Sequence, residues 1–140
     1  MIFTETPLRS AFVIEPEPLE NGRGLFAGTW WRRAFEAHGL ETPIAQCSTS
    51  LNEKKGTLRS MHYQTPPVAE TKIVRCTRGS MYDVIIDLSP ALSTFTQRFG
   101  LVLTAENRKM LYVPSGFAHG LQTLEANTDA VGPESLRRTA

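Results

Sequence analysis

The stretch TKIVRCTRGSMYDVIIDL, residues 71–88, contains two runs rich in branched apolar residues, separated by the turn composition TRGS. Successive side chains of a β-strand point to opposite faces. In the second run this alternation places Met81, Asp83 and Ile85 on one face. A carboxylate that shares a face with apolar residues either points into a polar interior or marks its edge. Asp87, two residues before Ser89-Pro90, is expected to begin a turn.

The same pattern extends along most of the chain, and it predicts an all-β sandwich or barrel in a single domain, residues 1–140. Short alternating runs are separated by turn compositions such as EPEP, NGRG, NEKKG and PSG. The predicted strands cover residues 9–14, 24–28, 44–51, 57–64, 71–77, 80–88, 96–104, 109–113 and 117–124.

One short helix is predicted near residues 30–38, with Thr29 as its N-cap and Gly39 as its stop. Residues 125–140 have no run of period two, so we expect a divergent or poorly ordered tail there, as a short helix or a frayed end.

Composition narrows the class of protein. The 140 residues carry a net charge of +1, with basic and acidic residues mixed along the chain. This argues against a dedicated nucleic-acid or membrane surface. The first residues, MIFTETPLRSAF, lack an apolar segment behind a basic start, so we expect a cytoplasmic protein. Cys47 and Cys76 lie in predicted strands, and two cysteines do not make a disulfide framework, so both are expected to be reduced and in or near the core. No CxxC spacing supports a metal pair.

The run TLRSMHYQ, residues 57–64, introduces a histidine into a predicted strand. Alternation places His62 with Ser60 and Gln64 on one face, and Arg59 on the other. A single histidine in such a run is more often structural than chemical.

Further ionisable residues come from other predicted strands. Lys72 begins the next strand, and His119 follows the turn in YVPSGFAHG. Taken singly, Lys72 fits a solvated edge charge and His119 a turn cap. Together with Arg59, His62 and Asp83, however, they exceed what a core needs, because a buried ionisable group is costly unless paired. A ligand cavity between the sheets is therefore expected.

Two histidine motifs in the sequence resemble those of a known protein superfamily. The pattern Gly56-x5-His62 with Pro114-x-Gly116-x2-His119 resembles the cupin superfamily, whose fold is a jelly roll or double-stranded β-helix. The segments GRGLF, TLRSMHYQTPP, TKIVRCTRGSMYDVIIDL and LYVPSGFAHGLQTL resemble, more specifically, the dTDP-4-dehydrorhamnose 3,5-epimerase family. The likeness extends over residues 10–124.

The resemblance implies an isomerase that acts on a dTDP-4-keto-6-deoxyhexose without a cofactor, by proton abstraction next to the C4 ketone. His62 would be the base, Lys72 would stabilise the enolate, and Asp83 would lie in the pocket wall. It implies catalytic positions at His62, Lys72 and Asp83, and substrate-binding positions at Arg23, Phe26, Gln46, Arg59, Gln64 and His119. Arg23, Phe26 and Gln46 would hold the nucleotide, and a homodimer is implied as well.

The C-terminal part departs from this family. Its members continue past HGxxxL with a strand that bears the tyrosine taken to be the opposing acid, and later with an aspartate that orients the base. Here the last tyrosine is Tyr112, and Asp129 is the only aspartate after Asp87. An impaired epimerase and a non-catalytic dTDP-sugar-binding cupin therefore both remain open.

A metal-dependent cupin is a third alternative. His62 and His119 would be two of its ligands, but Gln64 and Thr123 stand where the others are expected. Two ligands make a poor metal site, so no metal is expected.

Overall fold

The computed structural model describes residues 1–40, 44–65 and 69–134. These residues form twelve strands and one helix. In chain order they are β1 (Ile2–Glu5), β2 (Phe12–Glu15), β3 (Leu19–Asn21), β4 (Gly24–Phe26), α1 (Arg32–Ala37), β5 (Gln46–Asn52), β6 (Leu58–His62), β7 (Lys72–Arg78), β8 (Ser80–Asp87), β9 (Arg98–Thr104), β10 (Met110–Val113), β11 (Phe117–Thr123) and β12 (Thr128–Glu134).

Two facing antiparallel sheets contain ten of these strands. The larger has the order β1-β2-β10-β7-β12-β5, and the smaller has the order β6-β11-β8-β9. β3 and β4 form a separate hairpin. The expected all-β jelly roll with one short helix is confirmed. In the described part of the chain, no helix has the length and apolarity to cross a bilayer.

The larger sheet separates two apolar clusters because its strands alternate. The inner cluster lies between the sheets and includes Val74, Met81, Ile85, Leu103 and Leu111. The outer cluster includes Ile14, Ile73, Met110 and Tyr112, and Phe35 of α1 packs into it. Burial of these apolar side chains supplies the main stabilisation of the fold.

The ends of the helix agree only in part with the prediction. The N-cap position is Trp31, with no capping side chain, so the Thr29 cap is wrong. Gly39 has a φ of +69° and ends the helix as predicted.

The tail prediction is wrong for residues 128–134. They form β12, which pairs with β5 on one side and with β7 on the other. The run lacks apolar alternation, so its strand conformation comes from pairing on both edges. The buried Thr128 hydroxyl anchors the strand start by donating to the carbonyls of Ser80 and Glu125. Residues 135–140, also part of that prediction, lie outside the described residues.

The two cysteines occupy different environments. Both are free; Cys76 is buried, and burial raises the pKa of its thiol. Cys47 is exposed, so its expected position in or near the core is wrong. It lies on β5, which is an edge strand and has a neighbour on one side only.

Candidate active site

A cavity of about 250 Å³ lies between the two sheets. β6 and β11 of the smaller sheet supply Arg59, His62 and His119 to its wall. The larger sheet supplies Lys72 from β7, hydroxyl groups from β5, and a segment of β12. Four of the ionisable residues predicted for the site therefore line one cavity.

Arg59 and His62 reach the same cavity although simple alternation places them on opposite faces. β6 pairs with β11 so that His119 lies opposite His62, while Leu121 lies opposite Arg59. Three residue steps along β6, from His62 to Arg59, therefore match two steps along β11, from His119 to Leu121. β6 thus contains one extra residue, a β-bulge. The extra residue reverses the alternation, and the predicted separation of Arg59 from His62 is wrong for this reason.

His62 and Lys72 approach each other across the cavity. His62 Nδ1 donates to the Ser60 carbonyl oxygen at 3.0 Å, so Nε2 is the acceptor nitrogen of the ring. Lys72 Nζ lies 3.4 Å from that Nε2. β6 and β7 belong to facing sheets, so the two groups meet across the sandwich and not side by side within one sheet.

Glu70 is the second partner of Lys72. Its Oε1 lies 2.8 Å from Nζ, and its side chain is only 7% exposed. Sequence reasoning missed this residue. The available signal was its position two residues before Lys72, since period two puts both on one face of an extended run.

Behind the cavity wall, Asp83 contacts His119. His119 Nε2 lies 2.6 Å from Asp83 Oδ1, and Asp83 is fully buried. Burial raises the pKa of the Asp83 carboxyl, while the hydrogen bond and charge of His119 and the charge of Lys72 oppose that rise. Among the described residues, Asp83 Oδ2 finds no hydrogen-bond partner. Asp83 thus lies behind His119, in the interior that its alternation indicated.

Arg59 is held from the opposite sheet. Its Nε donates to Asn52 Oδ1 at 2.9 Å, and the buried Asn52 donates to the Thr128 carbonyl at 3.2 Å. Asn52 was also missed, because the sequence places it at a turn and gives no further signal. The contact leaves the other guanidinium nitrogens of Arg59 available to an anionic ligand.

Four predicted binding residues do not line this cavity within one chain. Gln46 begins β5, and Gln64 follows the end of β6. Arg23 and Phe26 belong to the β3–β4 hairpin, where both side chains are exposed. Their roles stay predictions.

The β12 residues that line the described wall bear no acidic side chain. Ala130, Val131 and Gly132 line it, and a Cβ at position 132 would overlap the Ile73 carbonyl. Among the described residues, no three His, Cys, Asp or Glu side chains are grouped so that they could hold a metal ion.

Comparisons with known proteins identify the family. A family model described as dTDP-4-dehydrorhamnose 3,5-epimerase matches residues 5–132. The enzyme of that name from Sinorhizobium fredii is 34% identical over 128 residues, which are 91% of this chain and 66% of the relative. The curated relatives are longer, and the chain spans about two thirds of their length.

Solved structures give the same result. The Bacillus anthracis dTDP-4-dehydrorhamnose 3,5-epimerase with TDP and PPi bound is 34% identical, with a TM-score of 0.93 over 99% of this chain and 79% of that one. The Legionella pneumophila dTDP-6-deoxy-D-glucose-3,5-epimerase in complex with dTDP-4-keto-L-rhamnose is 30% identical, with a TM-score of 0.88 over 97% and 72%. This chain belongs to the dTDP-4-dehydrorhamnose 3,5-epimerase family.

Proposed function

We propose that the chain acts on a dTDP-4-keto-6-deoxyhexose as an isomerase of the dTDP-4-dehydrorhamnose 3,5-epimerase type. The observation that carries the proposal is the pair formed by His62 Nε2 and Lys72 Nζ, 3.4 Å apart in one cavity. A proton next to a ketone is weakly acidic. Its removal needs a base that works near neutrality and a cation beside the oxygen that becomes negative.

The proton transfer assigns a role to each group. His62 Nε2 takes the proton from the carbon next to C4, and the C–H electrons form the C=C bond of the enolate. The carbonyl π electrons move to O4, where the Lys72 ammonium stabilises the charge. Return of a proton to that carbon from the other side of the sugar completes the inversion.

The source of the returning proton separates two outcomes. The cavity wall opposite His62 carries hydroxyls from β5 and backbone from β12, and neither is a strong acid. We propose that water supplies the proton when no other group reaches the cavity. Enolate formation with solvent exchange then proceeds, while inversion at the carbon is impaired.

The nucleotide must lie outside the described cavity. A volume of about 250 Å³ is small even for a drug-sized ligand, so it suits the sugar ring and not the whole dTDP-sugar. We propose that the chain works as a homodimer, in which Arg23 and Phe26 of one copy hold the nucleotide bound to the other. The Legionella relative bound to dTDP-4-keto-L-rhamnose supports this ligand class. A cytoplasmic location belongs to the same proposal.

Hydrogen exchange tests the chemistry directly. The protein is incubated in deuterated water with dTDP-4-keto-6-deoxyglucose, and deuterium at C3 and C5 is followed by NMR. The native chain should introduce deuterium at one carbon or both, and His62→Ala should not. No exchange by the folded native chain would contradict catalysis.

A non-catalytic binding protein is the second candidate. The lack of an acidic side chain among the described β12 residues of the wall favours it, because inversion needs a proton donor there. Calorimetric binding of dTDP with no deuterium exchange would establish this function instead. Stoichiometric metal in protein purified without chelator would support the metal-dependent alternative.

A further inference from the structure

Glu70 is a buried carboxylate that the proton transfer above does not use. Its side chain is 7% exposed, and that of Lys72 is 13% exposed. Burial of a carboxylate is unfavourable without a partner, and Lys72 Nζ at 2.8 Å supplies one. Glu70, Lys72 and His62 thus form a chain of three contacting groups that ends at the proposed base.

We propose that Glu70 is a positioning residue that holds Lys72 beside His62 and offsets its charge, so that His62 can take up a proton. The inference rests on the proposed function for its role in catalysis. Its physical basis, the effect of Glu70 on the titration of His62, does not depend on any substrate.

The argument starts from the charge that His62 must acquire. Its Nδ1 already carries a proton, which is donated to Ser60, so uptake at Nε2 makes the ring cationic. Lys72 Nζ is 3.4 Å from that nitrogen. Two positive charges at this distance repel, and the exposure of the His62 side chain to solvent screens part of that repulsion. The Glu70 carboxylate reduces the repulsion because it lies on Nζ itself.

The other charged groups near the site do not take over this role. Arg59 adds positive charge and is bound to Asn52. Asp83 is paired with His119 at 2.6 Å and lies behind the wall. Among the side chains that the structure describes, Glu70 is the one carboxylate within ion-pair distance of Lys72. The backbone of Glu134 on β12 is in register with Lys72.

NMR titration of the histidines measures the effect. The chain has three histidines, so the His62 signal is assigned by its loss in His62→Ala. Glu70→Gln keeps the size of the side chain and removes its charge. We expect the titration midpoint of His62 to fall in this variant, because the charge of Lys72 beside it is no longer offset. Glu36→Gln removes a carboxylate from the exposed side of α1 and should leave the titration midpoint of His62 unchanged.

Two further variants test the same proposal without relying on Glu70→Gln alone. Glu70→Asp keeps the charge at a longer distance and should restore most of the native midpoint. Lys72→Gln removes the repelling cation and should raise the midpoint above the native value. The pH profile of deuterium exchange should move to lower pH in Glu70→Gln, whereas a purely structural role would lower the rate without moving the profile.

An unchanged His62 midpoint in folded Glu70→Gln overturns the proposal about Glu70, whatever the native chain does to the sugar. If Glu70→Gln does not fold, an unchanged midpoint in Lys72→Gln overturns it equally. A shifted midpoint in a protein that exchanges no deuterium supports the electrostatic role and contradicts only the proposed function.

Discussion

Asp83 is the residue whose protonation the fold controls most directly. It is fully buried, it shares a short contact with His119, and its second oxygen has no partner. Burial raises the pKa of its carboxyl above the ordinary value. The native state therefore binds this proton more tightly than the unfolded chain does, between the ordinary pKa of about 4 and the raised pKa.

Asp83→Asn removes this titration and keeps the shape of the side chain. The native-state advantage is complete below the ordinary pKa and is lost as the pH rises through the raised pKa. We therefore expect the unfolding free energy of the native chain, minus that of Asp83→Asn, to fall as the pH rises from about 4, by about 1.4 kcal/mol for each unit of raised pKa. Urea unfolding at a series of pH values measures this difference, and a difference independent of pH would contradict it.

At the residue scale, the alternation of side chains along a strand predicts the correct face for some residues and the wrong face for others. It predicts Asp83 inside, and the same period of two puts Lys72 on the face of Val74 and Cys76, which faces the core. It separated Arg59 from His62 because an inserted residue in β6 cannot be recognised from a period of two. The resemblance grouped these two residues correctly, since it compares whole motifs and carries any bulge with them.

Among the elements, the bulged strand β6 decides how His62 is presented. Gly120 on β11 lies against the bulge, and a Cβ there would come within 2.7 Å of Met61 Sδ and 2.9 Å of the Arg59 carbonyl oxygen. A β-carbon in this space must displace the backbone of β6. Gly120 therefore permits the close approach that brings Arg59 and His62 into the cavity.

Gly120→Ala should lower the unfolding free energy by about 1–3 kcal/mol, as expected for overpacking of a tight site. Deuterium exchange into the sugar should fall as much as about a hundredfold if the base moves by about 1 Å. Gly28→Ala is the matched control, because nothing lies within 4 Å of its Cβ. Thermal unfolding and the exchange rate are measured on both variants. Equal behaviour of the two would show that the bulge tolerates the methyl group.

β12 shows what local sequence cannot reveal about an element. The run Thr128–Glu134 contains Gly132 and Pro133, which local propensity disfavours in a central strand. Its two neighbours β5 and β7 nevertheless pair with it along most of its length. Long-range pairing of this kind depends on strands that are distant in sequence, so a reading by local periodicity misses it.

At the scale of the whole molecule, the outer face of the smaller sheet carries an apolar row. Leu58, Gln122, Tyr82 and Val102 lie opposite one another across β6, β11, β8 and β9. The three apolar members are 70%, 42% and 44% exposed. Gln122 separates Leu58 from the adjacent pair Tyr82 and Val102, so the row is apolar only in part. The proposed homodimer would cover these exposed apolar side chains with a second copy of the chain.

Light scattering coupled to size exclusion should therefore give a mass near twice the 15.6 kDa of one chain. Tyr82→Arg places a charge in the middle of the row and should shift the protein toward the monomer, because a buried unpaired charge opposes association. Ala37→Arg adds the same charge on exposed α1 and should leave the mass unchanged. A monomeric native chain would contradict the homodimer, and a dimer unaffected by Tyr82→Arg would show that the interface lies elsewhere on the molecule.

In a dimer that requires this face, the Tyr82→Arg monomer should also bind dTDP more weakly, because Arg23 and Phe26 of the second copy no longer reach the nucleotide.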